Sequence, residues 1–217
     1  MRAGAGRRQQ DKPRRGAGHA GSRRRIYWVT RKEQLDALAS AVRLDILDRM
    51  VALGPLSVKT LSASMGMKPT AIYQHLQRLA RLELVRSTHT AGARGRPAAV
   101  YEAAGTRVRL ARAPLTTENR KPMAKIARAV AGQAAKDYSR AFASEAWRIE
   151  GPARNHWHFR CLMRPSKQRL AKINALFDEL AELIWTSDAS PGKQLISVAW
   201  FLAPIGGRPR SRHARSA

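Results

Sequence analysis

The chain has 217 residues and a formal net charge of +26, from 41 Lys and Arg residues against 15 Asp and Glu residues. The length allows one sizeable core or two small ones, and the charge favours a polyanionic partner, either nucleic acid or an anionic membrane surface. The single cysteine, Cys161, excludes an intramolecular disulfide and fits a reducing compartment. No apolar run approaches the roughly 20 residues that span a bilayer, and none follows the basic N-terminus as in a secretory signal. We therefore expect a cytoplasmic protein with no membrane partner.

Both ends of the chain are basic and poor in core-forming side chains. Residues 1–25 contain nine Lys or Arg residues and one Asp, and residues 207–217 contain four Arg residues and no acid. These tails hold +8 and +4 of the total charge, so +14 remains on residues 26–206. We predict that both tails are disordered, because they cannot bury enough apolar surface to offset their ordering entropy. The N-terminal tail is either a solvated segment or a basic arm that strengthens non-specific binding to polyanions.

The ordered part is predicted to begin near Ile26 with two short helices. Thr30 and Glu33 have the spacing of a capping box, which predicts the start of the first helix. Ser40 is the predicted cap of the second helix, which Gly54 ends.

Two further helices are predicted around a tight turn. Ser57 caps the third helix, Gly66 supplies the left-handed residue of the turn, and Pro69 occupies the first position of the fourth helix. The apolar spacing directs Ile72, Leu76 and Leu79 inward. The predicted outward face consists of Lys68, Thr70, Tyr73, Gln74, Gln77, Arg78 and Arg81.

A strand-like hairpin follows the fourth helix. Residues 85–90 and 98–103 are rich in strand-forming residues, and the tip between them carries Arg94 and Arg96 among glycines. A third short run, 106–110, also alternates. This order of helices and strands is the layout of a winged helix-turn-helix, in which one helix enters a nucleic-acid groove and the hairpin reaches the flanking backbone.

The second half of the chain predicts a helix–strand–helix–strand unit. Its predicted helix over 121–147 is rich in Ala, and the predicted strands cover 155–163 and 194–202. The second helix begins after Ser166. Its apolar side chains step by three and four residues, which predicts a packing seam formed by Leu170, Ile173, Phe177, Leu180 and Ile184.

The predicted fold class is therefore mostly α with a small β component, a winged helix-turn-helix domain followed by this C-terminal unit. The predicted domains are a disordered basic tail (1–25), the DNA-binding domain (26–110), a dimerisation unit that could also hold an effector (111–206) and a second basic tail (207–217).

The ordered series of motifs from about residue 30 to 104 resembles bacterial winged-helix transcriptional regulators of the arsenical-repressor (ArsR) type. The matching residues are Arg43-Leu44-Asp45-Ile46-Leu47, Gly54, Ser57-Val58, Leu61, Pro69 and His75-Leu76-Gln77-Arg78-Leu79, followed by the basic wing tip and Tyr101. The resemblance implies a dimeric transcriptional regulator that binds double-stranded DNA with sequence specificity.

Two departures from the ArsR pattern affect function. Founding members of the family sense metal through paired cysteines in the third helix, but no cysteine lies near Leu61, so thiolate metal sensing is excluded there. Lys68 stands at the helix cap, where Ser is usual, and a cation there is disfavoured unless a phosphate faces the helix N-terminus. We expect no metal and no cofactor.

The predicted DNA-binding residues fall into two groups, the outward face of the fourth helix and the wing tip. The face from Lys68 to Arg81 has no acid and consists of side chains that read base edges or bind phosphates. Tyr73 and Gln74 are the predicted base readers, because the N-terminal half of a recognition helix enters the groove. We interpret His75 as structural or phosphate-facing, and Arg94 and Arg96 as minor-groove contacts.

Three residues of the second half, His156, His158 and Cys161, are candidate metal ligands. His156 and His158 would share one face of a strand and Cys161 the other, so we expect surface histidines beside a buried cysteine instead. Because no grouping of a nucleophile with a base and no phosphate-binding Gly loop is found, we do not expect an enzyme.

The C-terminal unit leaves two questions open. Its helical seam fits either a subunit interface or an internal core, and we favour a homodimer that reads an inverted repeat. The aromatic residues of this unit either pack as core or enclose an unknown small effector. The alternative function is a winged-helix protein that binds nucleic acid without sequence preference, associated with RNA or the nucleoid.

Overall fold

The computed structural model describes residues 26–91, 97–110, 116–186, 192 and 194–205. The helices are α1 (Lys32–Leu38), α2 (Ala41–Leu53), α3 (Val58–Met65), α4 (Pro69–Arg81), α5 (Thr117–Ala141) and α6 (Lys167–Trp185). The strands are β1 (Ile26–Trp28), β2 (Leu56–Ser57), β3 (Val85–Ala91), β4 (Pro97–Ala103) and β5 (Arg107–Arg109). This mixture of helices with small sheets confirms the predicted α+β fold class.

The strands form two small sheets. The first is antiparallel in the order β2-β4-β3 and contains the predicted wing hairpin, with Leu56 opposite Tyr101 and Val85 opposite Ala103. In the second sheet β1 pairs in parallel with β5. The third alternating run therefore pairs with the first described residues and not with the wing.

The predicted caps set the boundaries of the central helices. The Ser57 hydroxyl accepts a hydrogen bond from the Thr60 backbone N–H at 3.1 Å, and Gly66 ends α3 with φ 63°. Ser40 is the N-cap of α2, and α4 begins at Pro69. Because Gly tolerates a positive φ without steric cost, Gly66 lets α3 stop within one residue and α4 start soon afterwards.

The predicted capping box of α1 is wrong by one residue. Arg31 is the N-cap, and the Gln34 side-chain oxygen accepts a hydrogen bond from the Arg31 backbone N–H at 3.5 Å. Gln34 is buried, and its amide nitrogen donates to the Tyr27 hydroxyl at 2.7 Å and to the Leu82 carbonyl at 2.9 Å. These long-range bonds fix the start of α1, and a sequence pattern confined to Thr30 and Glu33 does not contain them.

The hydrophobic core lies between α1, α2, α3, α4 and the wing sheet. Leu35, Ile46, Leu61 and Leu76 are fully buried there. The first half of α5 packs on α1 and α2 and contributes Ile126 to the same core. The domain limits stay a prediction, but α5 is the element that extends the core beyond the wing. We call this packed region, residues 26–91, 97–110 and 116–130, the head.

After α5, the described residues contain one more helix, α6, and no strand. Residues 155–163 and 194–202, where strands were predicted, are irregular, and α6 has no buried residue. We call residues 154–186 and 194–205 the C-terminal arm. Its exposed large apolar side chains are Trp157, Phe159, Leu162, Met163, Leu170, Leu176, Leu180, Leu183, Ile184, Leu195, Ile196, Val198, Trp200, Phe201, Leu202 and Ile205. The alternating pattern is therefore present in the sequence, but within the described ranges no surface of the chain covers it.

A cluster of ion pairs attaches the C-terminal arm to the head. The Glu182 carboxylate accepts a hydrogen bond from Arg107 Nη1 at Oε2 and another from Arg109 Nη2 at Oε1, both with a length of 2.9 Å. The Arg107 side chain is buried and its guanidinium also lies 5.9 Å from the Trp185 ring centroid. Hydrogen bonding to Arg107 is the main cause that lowers the pKa of Glu182 below its usual value. We call this cluster the arginine clamp.

Candidate nucleic-acid interface

The fourth helix is held in place from below by apolar side chains. Ile72, Leu76 and Leu79 are fully buried, as their spacing predicted. The helix ends at Arg81, Glu83 follows the Leu82 cap with φ 59°, and the Leu84 backbone N–H donates to the Leu79 carbonyl at 3.0 Å. This is the six-to-one bond of a Schellman motif, with Glu where Gly is usual.

The first helix of the head fixes the C-terminal end of α4. Arg31 Nη2 donates to the Leu82 carbonyl at 3.0 Å and pairs with the Glu83 carboxylate at 2.7 Å. Gln34 reaches the same Leu82 carbonyl. Because the last carbonyls of a helix lack partners within the helix, these side chains both satisfy them and orient α4 relative to α1.

The opposite face of α4 is open to solvent. All seven side chains predicted for it are exposed, and Tyr73 is 45% exposed. The seven are Lys68, Thr70, Tyr73, Gln74, Gln77, Arg78 and Arg81. No acid lies between residues 68 and 81, so this face offers only neutral polar and cationic groups. We call it the recognition face; binding of DNA by its residues remains a prediction.

The N-terminus of α4 has no side-chain cap. Lys68 has the extended backbone of an N-cap residue, but its side chain accepts no hydrogen bond from the first turn, as expected of an ammonium group. The positive end of the helix dipole and the Lys68 charge therefore lie together at an exposed position. An anion bound there would be stabilised by both.

A similar arrangement at α3 was not predicted from the sequence. Lys59 is the second residue of α3 and is exposed, so it places another cation near a helix N-terminus. The first helix of a helix-turn-helix crosses the DNA backbone, where such a cation can contact a phosphate. The signal in the sequence is a lysine two residues after the Ser57 cap.

The wing lies beside the recognition face. The first wing strand, β3, contacts α4. Burial, and secondarily the Tyr73 phenol, raises the pKa of the Tyr101 hydroxyl in β4. In β3 Arg86 donates to the Ala104 carbonyl at 3.2 Å, so this arginine is engaged within the chain. Arg94 and Arg96, the predicted minor-groove contacts, lie outside the described residues.

His75 is half-buried behind the recognition face. Burial and the nearby Arg43 charge lower the pKa of His75 below its usual value, so the imidazole is neutral near pH 7. Arg43 is held by a 2.5 Å hydrogen bond from its Nε to the Ala37 carbonyl. The neutral, half-buried state supports the structural interpretation of His75.

The expected arrangement of the C-terminal histidines and cysteine is wrong. His156 is buried and Cys161 is exposed, the reverse of the prediction. The His156 ring lies 4.0 Å from the Tyr138 ring and 4.4 Å from the Phe142 ring, measured between centroids, because residues 155–163 fold back as an irregular segment onto the end of α5. Within the described ranges, no three His, Cys, Asp or Glu side chains come close enough to hold a metal ion.

The aromatic residues of the second half form separate groups. One group surrounds His156, and in the other Phe177 and Trp200 stack with their ring centroids 6.0 Å apart. Trp157 and Phe159 belong to neither and are 58% and 75% exposed. The described aromatic side chains therefore form neither one packed core nor a common enclosure for an effector.

Comparison with known proteins supports the assignment of the head. A family model described as a helix-turn-helix domain matches residues 38–88, which include α2, β2, α3, α4 and the start of β3. A crystal structure of RV1404 from Mycobacterium tuberculosis is similar over 73% of this chain and 86% of that chain, at 15% sequence identity and a TM-score of 0.27. No curated protein matches the chain. None of the described helices is long and apolar enough to cross a membrane. The chain contains a helix-turn-helix domain, the type of domain through which regulators bind DNA.

Proposed function

We propose that this chain is a transcriptional regulator of the ArsR-like winged-helix type that binds double-stranded DNA with sequence specificity. In this proposal α4 enters the major groove, and the wing tip at residues 91–97 contacts the flanking backbone and minor groove. Tyr73 and Gln74 read base edges, while Lys68, Thr70, Gln77, Arg78, Arg81, Arg94 and Arg96 bind phosphates or neighbouring bases.

The observation that carries the proposal is the recognition face. It is exposed, lacks acids over 14 consecutive residues and lies on the second helix of the helix-turn-helix. An ordinary solvated helix face mixes acids with bases, because both are soluble and pair with one another. A face without acids is suited to a surface of phosphates and base edges.

We further propose that the chain acts as a homodimer at an inverted repeat. A single recognition helix contacts only one half-site, and two heads related by a twofold axis read two half-sites about one helical turn apart. The C-terminal arm offers the surface for this pairing. The proposal includes a cytoplasmic location and a binding role without catalysis.

The alternative is a winged-helix protein that binds RNA or bulk DNA without sequence preference. The net charge of +26 favours it, because phosphate contacts alone provide non-specific affinity. The two proposals differ in the ratio of specific to non-specific affinity. A regulator prefers its site by about a thousandfold or more, and a scaffold does not.

Selection of duplexes from a random pool with the full chain tests the proposal. We expect enrichment of an inverted repeat, and at least about a thousandfold tighter binding to that duplex than to a scrambled duplex of the same composition at 150 mM salt, roughly the physiological value. The matched control is the double variant Arg78→Glu with Arg81→Glu, which replaces two cations of the recognition face by acids. A pool that shows no preferred sequence would favour the alternative.

A further inference from the structure

The first part of the C-terminal arm contains cations without acids. No Asp or Glu lies between residues 151 and 177. All Lys and Arg side chains of this stretch are exposed, and within the described ranges none of them pairs with a carboxylate. They are Arg154, Arg160, Arg164, Lys167, Arg169 and Lys172. The second half of α6, in contrast, carries only acids, and residues 194–205 carry no charge. We call residues 154–172 the aromatic–basic segment.

Two aromatic side chains lie exposed among these cations. Trp157 and Phe159 are 58% and 75% exposed. The Arg154 guanidinium carbon lies 4.5 Å from the centroid of the Trp157 ring, which is a cation–π contact. More than half of the surface of each aromatic residue nevertheless stays open to another planar group. Exposed rings among cations are the arrangement with which proteins bind an unpaired nucleic-acid strand, because the rings stack on bases and the cations contact phosphates.

The backbone that carries these rings is anchored to the end of α5. His156 is buried, and its Nε2 lies 3.1 Å from the Tyr138 carbonyl oxygen. The next histidine, His158, has its Nδ1 3.2 Å from the Tyr138 hydroxyl. The Asn155 side-chain oxygen accepts a hydrogen bond from the Arg148 backbone N–H at 2.7 Å. The two exposed rings therefore project from a fixed backbone, which reduces the entropy lost when a ligand binds.

We propose that the aromatic–basic segment binds single-stranded DNA. Trp157 and Phe159 stack on bases, and the exposed cations contact the phosphates of the same strand. Duplex DNA does not offer its bases to these rings, because they are stacked on one another inside the helix. The head contains a helix-turn-helix domain, the type of domain that binds DNA, which favours DNA over RNA as the strand. The inference does not depend on the role proposed for α4.

An anionic membrane surface is the rival partner for cations mixed with aromatic rings. Binding in the plane of a membrane is typical of an amphipathic helix, which collects its apolar side chains on one face. Residues 154–166 form no helix, and the two exposed rings belong to this irregular part of the segment. The structure therefore favours a single strand, and vesicles enter the test as a competing ligand.

Two probes of equal charge test the proposal on the full chain by fluorescence anisotropy. The first is a thymidine strand of about 20 nucleotides, longer than the site of one single-strand-binding fold. The second is an abasic strand of the same length, which keeps the phosphates and lacks the bases. Stacking on one base is typically worth about tenfold in affinity. At roughly 150 mM salt we expect the wild type to bind the thymidine strand at least about tenfold more tightly than the abasic strand.

The aromatic double variant Trp157→Ala with Phe159→Ala should lose this preference. Its affinities for the two strands should agree within about twofold, since only phosphate contacts remain, and its affinity for the abasic strand should stay at the wild-type value. Phe201→Ala is the matched control. It changes an aromatic residue of the same arm that is 55% exposed in an uncharged stretch, and it should keep the preference. Circular dichroism checks that all variants keep the helices of the wild type.

The cations should act on both strands alike. Arg160→Ala with Arg164→Ala should weaken binding of the thymidine and abasic strands by the same factor. The slope of log affinity against log salt should fall in magnitude by about 1.4, roughly 0.7 for each contact to a single strand. Arg120→Ala with Arg128→Ala changes two exposed arginines of α5 and should leave this slope unchanged.

Four results would overturn the inference. They are a wild type that binds both strands equally, an aromatic double variant that keeps the preference, a Phe201→Ala variant that loses it to the same extent, and tighter binding of a uridine strand than of the thymidine strand. Vesicles of phosphatidylserine and phosphatidylcholine that bind the wild type but not the aromatic double variant would assign the segment to a membrane instead.

The recognition face separates this inference from the proposed function. Arg78→Glu with Arg81→Glu should abolish binding of the selected duplex and keep the preference for the thymidine strand over the abasic strand. A wild type that binds the selected duplex without that preference would contradict this inference alone. A wild type that shows the preference but selects no duplex would contradict the proposed function alone.

Discussion

The head and the C-terminal arm use similar apolar patterns with opposite results. In α4 the apolar residues Ile72, Leu76 and Leu79 are fully buried, because α2, α3 and β3 pack against one side of the helix. In α6 no residue is buried, and Leu183 is 72% exposed. The same helical periodicity thus predicts that a helix forms, but it does not identify the surface on which the helix packs. In the head that surface belongs to the chain itself.

The largest expected effect is on stability, where a substitution in the head is compared with one in the C-terminal arm. Leu76→Ala removes a fully buried side chain and should lower the free energy of unfolding by about 2–5 kcal/mol. Leu183→Ala should change it by less than about 0.5 kcal/mol at concentrations where the chain is monomeric. Urea denaturation followed by circular dichroism measures both. Equal losses would show that the C-terminal arm has a core of its own.

A second prediction concerns specificity, which we assign to the head alone. Tyr73→Ala and Gln74→Ala should each reduce discrimination at one base pair by about 1–3 kcal/mol and leave binding to bulk duplex nearly unchanged. Gln168→Ala, an exposed glutamine on α6, is the matched control. Competition binding with single-base variants of the selected duplex gives the discrimination. If both head variants keep it in full, α4 is not the reading helix.

A third prediction tests the wing tip. Arg94→Ala with Arg96→Ala should weaken binding most where A·T-rich sequence flanks the site, because a narrow minor groove concentrates negative potential. The slope of log affinity against log salt should fall in magnitude by about 1.8, roughly 0.9 for each phosphate contact removed. Arg120→Ala with Arg128→Ala, two exposed arginines of α5, should leave the slope unchanged.

A fourth prediction concerns the arginine clamp between the two halves. Glu182→Gln removes the negative charge that faces Arg107 and Arg109, so α6 should separate from β5 while its helix stays intact. Electron-paramagnetic distance measurements between one label on α2 and one on α6 should show a broader distribution, and Glu179→Gln should not. The pKa of Glu182 is lowered, so the clamp is present above the usual carboxyl range near pH 4.5 and is lost as the pH falls through the lowered pKa. At such acid pH the wild type should resemble the variant.

The smallest expected effect is the pH dependence of the head. The pKa of His75 is lowered in the folded chain, so the unfolded chain binds the proton more readily and the free energy of unfolding falls as the pH drops below about 6.5. Denaturation at pH 7.5 and pH 5.5 should show a smaller decrease for His75→Gln than for the wild type. His89→Gln, at an exposed position of β3, should behave like the wild type. A larger decrease for His75→Gln would contradict the assigned direction of the pKa shift.

Much of the head could be predicted because its signals are local. Ser57, Gly66 and Pro69 act through hydrogen bonds and backbone angles within a few residues, and the structure places all three at the predicted helix boundaries. The exposure of the recognition face follows from the same periodicity that buries Leu76. The start of α1 was misplaced because Gln34 bonds to Leu82, almost fifty residues away, and short motifs contain no such information.

The C-terminal arm could be predicted only in part, for a related reason. The Ser166 hydroxyl accepts a hydrogen bond from the Arg169 backbone N–H at 3.2 Å, so the local cap of α6 was predicted correctly. The strands predicted at 155–163 and 194–202 do not form. A strand requires a partner strand, and the alternation of Trp157 and Phe159 with polar residues does not provide one. The burial of His156 depends on Tyr138 and Phe142, which lie on a different element.

The pairing of β1 with β5 determines when the head can finish folding. Ile26 lies opposite Arg107, so the pair closes a loop that contains α1, α2, α3, α4 and the whole wing. A contact between residues so far apart in sequence forms late, because the entropy of closing the loop must be offset before the contact contributes stability. During synthesis β1 has no partner until residue 109 has been added. Folding of the head is therefore expected to begin with the local contacts of α2 to α4 and to end with the pairing of β1 and β5.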